Sequence, residues 1–245
     1  MMNQRRIYGE KAQINETHVR NFYNKRALAS ASGDAGAVLL GNQDPQALKA
    51  KNAYDQEQIL PLIGPETRVL DIGCGIGRVA GFILPNCDFY CGVDFSEEMV
   101  RATKQVCQSK GGNYTAHCLS ALETADQNID FYGGRFGAII AAGVFMYVND
   151  QNAHHIFQRL PDLLDEHSSV YLSDPVGLQK RLTLRDFPSE ALQAEYSAIY
   201  RTPEEYLDLC EPLLNAGFHV TKHGFRPKFG EAYTDTARYF VVLRR

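Results

Sequence analysis

Short apolar runs alternate with segments of helical periodicity through the middle of the chain. Continuous apolar runs are typical of strands that are covered on both faces. The intervening helical segments therefore predict β-α-β units and a parallel sheet in a three-layer domain. The predicted strands cover residues 68–71, 88–93, 114–118, 136–142 and 170–173, and the predicted helices cover 77–84, 96–110 and 150–164.

The two ends of the chain follow a different pattern. Residues 1–43 are interpreted as an N-terminal extension, or cap, with an amphipathic helix over 15–29. A helix from Pro45 to about residue 60 opens the main domain, which covers residues 44–245. Residues 176–201 interrupt the alternation and are interpreted as a substrate-covering insert over the carboxyl edge of the sheet. A helix from Thr202 and strands at 218–223 and 237–243 follow, which completes a doubly wound, mostly parallel seven-stranded sheet.

Composition excludes several classes of protein. The chain has 245 residues, of which 44% are hydrophobic and 22% charged, so a disordered chain is excluded. The net charge of −4 provides no global attraction for nucleic acid, and no nucleic-acid partner is expected. The most apolar stretch, 136–148, is too short to span a membrane. No secretory signal is apparent and the six cysteines have no zinc spacing, so we expect a cytoplasmic protein with reduced core thiols and no metal.

The most informative segment is a glycine-rich loop that follows the first predicted sheet strand. Asp71 precedes Gly73, Gly75 and Gly77, and a helix is predicted to begin directly after them. Glycines let a ligand approach main-chain atoms closely, and doubly wound sheets bind ligands at this edge. Asp94 ends the next strand, 21 residues after the first glycine, where a carboxylate can accept both hydroxyls of a ribose.

Two cofactors compete for such a loop, a dinucleotide and S-adenosyl-L-methionine. The loop reads G-x-G-x-G, whereas dinucleotide sites have G-x-G-x-x-G. The carboxylate of Asp71 would repel a pyrophosphate but suits the ammonium of a methionine moiety. The residues therefore favour the methyl donor, while a nicotinamide, a flavin or a turn without a ligand remains an alternative.

Two motifs carry a resemblance to a known family. Val-Leu-Asp-Ile-Gly-Cys-Gly-Ile-Gly at 69–77, followed by Gly-Val-Asp-Phe-Ser-Glu-Glu-Met at 92–99, resembles class I S-adenosylmethionine-dependent methyltransferases with a Rossmann-like fold. The resemblance implies that Asp71 holds the methionine ammonium and that Asp94 accepts the ribose hydroxyls. It also implies that the three glycines let the loop wrap the cofactor.

The resemblance implies further cofactor contacts along the same edge. Phe95 would pack on adenine, with Met99 lining the same face. Ser120, or a backbone amide, stands near the place where the family usually carries an acid. Ala142 opens the stretch 142–147 that corresponds to the segment under the sulfonium, and Tyr23 resembles a tyrosine that closes over the cofactor in small-molecule members.

The acceptor is less well defined than the donor. Candidate bases are Tyr147, His154, His155 and Asp174, although at most one of the two adjacent histidines can easily face the site. Candidates for the acceptor pocket are Tyr196, Tyr200, Arg181 and Arg185 in the insert. A covered pocket suits a small molecule better than a polymer. We therefore expect transfer to a small-molecule acceptor, with a hydroxyl oxygen of a sugar or secondary-metabolite intermediate favoured over nitrogen.

Two alternatives to a small-molecule methyltransferase remain open. One is an RNA or protein methyltransferase that uses a basic patch around Lys180, Arg181 and Arg185. The other is a non-catalytic S-adenosylmethionine-binding protein.

Overall fold

A seven-stranded sheet forms the centre of the molecule in a computed structural model, which describes residues 5–30, 45–189, 194–228 and 234–245. The strand order is β4-β3-β2-β5-β6-β10-β9. All neighbours from β4 to β6 are parallel, and β10 is antiparallel to both β6 and β9. The strands are β2 (Arg68–Ile72), β3 (Phe89–Asp94), β4 (Tyr114–Cys118), β5 (Phe136–Ala142), β6 (Leu164–Gly177), β9 (His219–Phe225) and β10 (Thr236–Arg244).

Helices cover both faces of this sheet, as the continuous apolar strands require. Neighbouring strand residues point to opposite faces, so Val69 packs towards α2, α3 and α4 while Leu70 packs towards α5, α6, α7 and α8. The predicted doubly wound fold is confirmed. The helices are α1 (Glu16–Ser30), α2 (Pro45–Ile59), α3 (Ala80–Ile83), α4 (Glu97–Lys110), α5 (Ala121–Asp126), α6 (Asp150–Leu163), α7 (Pro203–Asp208) and α8 (Glu211–Asn215).

Some boundaries differ from the prediction for local reasons. The helix expected over 77–84 begins only at Ala80, because the loop before it holds Gly75 and Gly77 at positive φ. The single helix expected after Thr202 is two helices, and Pro212 lies in the first turn of the second. The short helix α5 was not predicted. The predicted domain boundary at residues 43 and 44 lies outside the described residues.

A second, smaller sheet is the main feature that the pattern did not predict. The strands β7 (Leu182–Ser189) and β8 (Ala194–Tyr200) form an antiparallel pair within the insert. The strand β1 (Arg6–Tyr8), from the N-terminal extension, pairs with β7 on its other side. A register shift between Leu184 and Phe187, with Asp186 at φ 47°, interrupts the β7 pattern. The extension and the insert are therefore one structural unit.

The cysteines are all reduced. Cys118 is exposed, in contrast to the expected core position, and Cys87 is half-buried. The other four are buried. Within the described ranges, no helix is long and apolar enough to cross a membrane, and no group of three potential metal-binding side chains occurs.

Candidate active site

A cavity of about 820 Å³ lies at the carboxyl ends of the parallel strands. The ends of β2, β3 and β5 form its floor, and the N-terminal helix α1 with the β7–β8 hairpin lies over it. Several predicted cofactor residues therefore come together on one wall although they lie far apart in sequence. The predicted residues that line the cavity are Tyr23, Asp71, Gly73, Gly75, Asp94, Phe95, Met99, Ser120, Ala142 and Tyr147.

The glycine loop is shaped by three positive φ angles, each with a different structural reason. Gly73 has φ 74°, and a Cβ there would lie 2.5 Å from Val144 Cγ2. Gly75 has φ 56°, and a Cβ would meet no atom within 4 Å, because the space beside it is the cavity. Gly77 does not line the cavity; its missing Cβ lets the loop pack against Thr103 of α4. Gly75 thus leaves room for a ligand, whereas Gly73 and Gly77 allow close packing against Val144 and Thr103.

Asp94 holds the loop and faces the cavity. Its Oδ2 accepts a hydrogen bond of 3.0 Å from the Gly75 N–H, and its Oδ1 accepts one of 2.9 Å from the Ser96 N–H. Its exposed fraction is 7%. Burial raises the pKa of Asp94 to about 6, although the two N–H groups favour the ionised form. Each oxygen keeps acceptor capacity for a further donor, such as a ribose hydroxyl.

Asp71 has a partner that the sequence did not reveal. The buried hydroxyl of Tyr90 donates a 2.6 Å hydrogen bond to Asp71 Oδ2. Burial raises the pKa of Asp71 to about 6, and the Tyr90 hydrogen bond and the charge of Arg78 act in the opposite direction. Asp71 and Asp94 make this end of the cavity negative near neutral pH, which suits the cationic methionine portion of the methyl donor.

Four tyrosine hydroxyls form a chain along the cavity, and the Tyr23 ring lies 6.0 Å from that of Phe95. The Tyr23 hydroxyl donates to that of Tyr147 at 2.5 Å, and the hydroxyls of Tyr147 and Tyr196 lie 3.0 Å apart. The Tyr200 hydroxyl donates to Tyr196 at 3.4 Å. Burial raises the pKa of Tyr23, Tyr147 and Tyr196 well above that of an ordinary phenol. These phenols are therefore neutral hydrogen-bonding groups rather than bases at neutral pH.

The structure does not place the other candidate bases at the cavity. Asp174 is 1% exposed and accepts hydrogen bonds from the Tyr206 hydroxyl at 2.7 Å and the Phe145 N–H at 3.3 Å. Its carboxylate therefore points towards α7, a direction that its position in the sequence does not determine. His154 and His155 are exposed on α6 and do not line the cavity, and His155 contacts Asp126.

The insert residues considered for the acceptor pocket fall into two groups: two tyrosines that line the cavity and two arginines that do not. Tyr196 and Tyr200 line the cavity, as expected for an acceptor pocket. Arg181, which is 4% exposed, instead pairs with Asp150 at 2.8 Å and Glu205 at 3.3 Å. Arg185 donates to the Gln13 carbonyl. Arg181 was the central residue of the basic patch considered for RNA or protein substrates. Because it is buried in an ion-pair network, it is not available at the surface for such a substrate.

That network fixes the turn that carries Tyr147. Arg201 is 3% exposed and donates to the carbonyls of Phe145 and Val148 at 2.6 and 2.8 Å. It also pairs with Asp150 at 2.7 Å. The end of the hairpin is thereby joined to the loop after β5. The sequence did not indicate a role for Arg201, because the backbone carbonyls that it contacts have no sequence signature.

Comparison with known proteins agrees with this geometry. Residues 69–167 match the model of a methyltransferase domain family. A search of curated protein sequences found no relative. Among solved structures, magnesium protoporphyrin IX methyltransferase from Synechocystis is 18% identical, with a TM-score of 0.61 over 96% of this chain and 99% of that one. The 1,6-didemethyltoxoflavin-N1-methyltransferase from Burkholderia thailandensis is 16% identical, with a TM-score of 0.63 over 100% and 97%.

The fold is also similar to that of a protein with another reaction. The [4+2]-cyclase SpnF is 16% identical, with a TM-score of 0.67 over 98% of this chain and 99% of that one. Fold similarity at this level of identity does not by itself define a reaction. The sheet order, the glycine loop and the matched domain together define the class: this is a class I, Rossmann-like methyltransferase fold. The match to a methyltransferase domain covers residues 69–167, which hold the glycine loop, β2 except for its first residue, and the strands from β3 to β5.

Proposed function

We propose that this protein transfers a methyl group from S-adenosylmethionine to a hydroxyl oxygen of a small molecule. The observation that carries the proposal is the covered cavity, which is lined both by the two buried carboxylates and by the tyrosine hydroxyls. Among the described residues, the N-terminal helix α1 and the β7–β8 hairpin cover the cavity, which favours a small molecule over a polymer. A buried site also excludes water from the reacting groups.

The residues fit the cofactor on structural grounds. The open space beside Gly75 is a place where a Cβ would intrude, and Asp94 has acceptor capacity directed at that space. In this proposal Asp94 accepts the ribose hydroxyls, Phe95 and Met99 pack on adenine, and Ser120 lies at the adenine edge. Asp71 faces the methionine ammonium. S-adenosylmethionine supplies an activated methyl group on a sulfonium, so the protein has mainly to orient and enclose the reactants.

The tyrosine hydroxyls orient the acceptor in this account. Tyr23 and Tyr200 donate into the chain, so the central hydroxyls of Tyr147 and Tyr196 have directed protons and lone pairs for a ligand. Because these phenols stay protonated at neutral pH, they do not remove the acceptor's proton. This favours an acceptor hydroxyl that ionises readily without a base, such as a phenol or an enol.

The test is methyl transfer from isotopically labelled S-adenosylmethionine to a panel of small hydroxylated compounds. We expect a labelled product whose new bond is to oxygen, identified by mass spectrometry and NMR. Labelling of RNA or protein alone would contradict the proposal, and labelling on nitrogen would correct the acceptor atom. Tight cofactor binding without turnover over the whole panel would favour a non-catalytic binding protein.

A further inference from the structure

A group of basic side chains lines the cavity at some distance from the two carboxylates. Lys51 of α2 and Arg238 of β10 belong to it, with Arg78 and Arg226 nearby. The strand β10 lies four positions from β3 in the sheet, so Arg238 is separated from Asp94 by roughly 19 Å of sheet width. The cavity is therefore negative at the β3 side and positive at the β10 side.

Arg238 lies beside the loop that follows β5. Its Nη1 donates a 3.1 Å hydrogen bond to the Ser173 carbonyl within β6. The same nitrogen lies 3.8 Å from the position that a Cβ on Gly143 would occupy. In the described part of the chain, Arg238 has no carboxylate within ion-pair distance. Its guanidinium is thus held at the cavity wall with donors left over for a ligand.

Lys51 is a second cation with an unfavourable environment. Its pKa is lowered well below that of an ordinary lysine by burial and by the charges of Arg238, Arg78 and Arg226. Asp55 favours the charged form of Lys51, but Asp55 already pairs with Arg78 at 2.7 Å. Among the described residues, Lys51 forms no ion pair of its own. An oxyanion between Lys51 and Arg238 would relieve this repulsion.

The cofactor does not supply the missing negative charge. S-adenosylmethionine carries a carboxylate, an ammonium and a sulfonium, so its binding adds one positive charge to the cavity. The carboxylate can neutralise one cation at most, and two cations of the cavity wall, Lys51 and Arg238, have no ion-pair partner in the ranges that the structure describes. A second anionic group would come from the other ligand of the cavity, which in the proposed function is the methyl acceptor.

We propose that the acceptor carries an anionic group, a carboxylate or a phosphate, which Lys51 and Arg238 bind. The inference rests on the proposed function and narrows it to acidic small molecules. The anion would anchor the acceptor at the β10 side, while the tyrosine hydroxyls contact the part that receives the methyl group. Lys51 and Arg238 are then specificity-determining residues rather than groups that touch the reacting atoms.

The experiment titrates inorganic phosphate, and separately acetate, into the full chain saturated with S-adenosylhomocysteine, at constant ionic strength. We expect saturable binding of at least one anion, which tells a phosphate from a carboxylate preference. Lys51→Met and Arg238→Met should each weaken it by about tenfold or more, since each removes a charge-assisted hydrogen bond. Lys49→Met, exposed on the same helix, and Arg244→Met, exposed on the same strand, are the matched controls and should bind as the wild type does.

The affinity for S-adenosylhomocysteine distinguishes the possible failures. It should change by less than about threefold in Lys51→Met and Arg238→Met, because the cations serve the acceptor. An equal loss of cofactor and anion affinity would show that they hold the cofactor's carboxylate, which overturns the inference. Saturable cofactor binding with no anion binding overturns the inference and leaves the proposed function standing. Failure of the wild-type chain to bind the cofactor overturns the proposed function itself. Since the two substitutions lie on different elements, either variant that folds suffices.

Discussion

Asp94 is expected to make cofactor binding depend on pH. Burial raises its pKa to about 6, and its role as acceptor for the ribose hydroxyls requires the carboxylate form. With this pKa the side chain is about 90% ionised at pH 7 and about 10% ionised at pH 5. The apparent affinity falls in proportion to the ionised fraction, so it should drop about tenfold between these two pH values.

Calorimetric titration of S-adenosylhomocysteine from pH 5 to pH 8 measures this effect. Asp94→Ala should lower the affinity at pH 7 by about tenfold or more, through the loss of charge-assisted hydrogen bonds, and should flatten the pH profile. Asp88→Ala, an exposed carboxylate at the other end of β3, is the control and should leave both unchanged. Any slope that remains in Asp94→Ala reports Asp71, whose pKa is also raised to about 6. A variant with both the affinity and the slope of the wild type would refute the role of Asp94.

The raised pKa of Asp94 also affects the stability of the ligand-free protein. Whereas cofactor affinity should fall at low pH, this contribution to stability is larger at low pH. The folded state favours the protonated form of Asp94, because its pKa is raised from 3.8 to about 6. This contribution is fully present below about pH 4 and is lost as the pH rises through 6. The contribution to the free energy of unfolding amounts to about 3 kcal/mol, because each unit of pKa difference between the folded and unfolded states corresponds to about 1.4 kcal/mol. Asp94→Ala should therefore reduce the difference in the free energy of unfolding between pH 5 and pH 7, measured by denaturant titration.

Three further substitutions test other parts of the account. Gly75→Ala should abolish measurable cofactor binding while the free energy of unfolding falls by only about 1 kcal/mol. Gly111→Ala, with a similar φ of 71° and open space beside it, should lose stability alone; equal cofactor binding by both variants would contradict the role of the open space beside Gly75. Tyr147→Phe should lower kcat/KM by about tenfold without moving the pH profile, whereas loss of a pH limb would identify a base. Arg201→Met should lower the free energy of unfolding by about 3 kcal/mol, because it leaves the partners of a buried charge without their donor. Arg159→Met, whose ion pair with Asp162 is exposed, is the control and should cost less than about 1 kcal/mol. Equal losses would contradict the structural role of Arg201.

The sequence predicts the main sheet closely because its signals are local. Each strand from β2 to β5 is a run of mainly apolar residues bounded by a turn residue. The loop with Gly73 and Gly75 directly follows β2, at the edge of the sheet where ligands bind. The predicted position of Asp94 at the cavity follows from its place at the end of a strand, and the positions of Phe95 and Met99 are implied by the family resemblance. Such features need no knowledge of distant parts of the chain.

Features that depend on distant contacts were not predicted. The strand β1 pairs with residues about 175 positions further along the chain, and nothing near Ile7 indicates a strand. Asp174 and His154 lie on predicted elements, but strand pleat and helix rotation decide which side they face, and both face away from the cavity. Lys51 and Arg238 are brought together by packing of α2 against the sheet edge, so their proximity has no signature in sequence.

A structure of the full chain with bound S-adenosylhomocysteine tests the central claim most directly. We expect the nucleoside to lie in the cavity, with both ribose hydroxyls within hydrogen-bond distance of the Asp94 carboxylate. The main chain of Gly75 should contact the ligand. A ligand bound outside the cavity, or with its ribose remote from Asp94, would contradict the central claim.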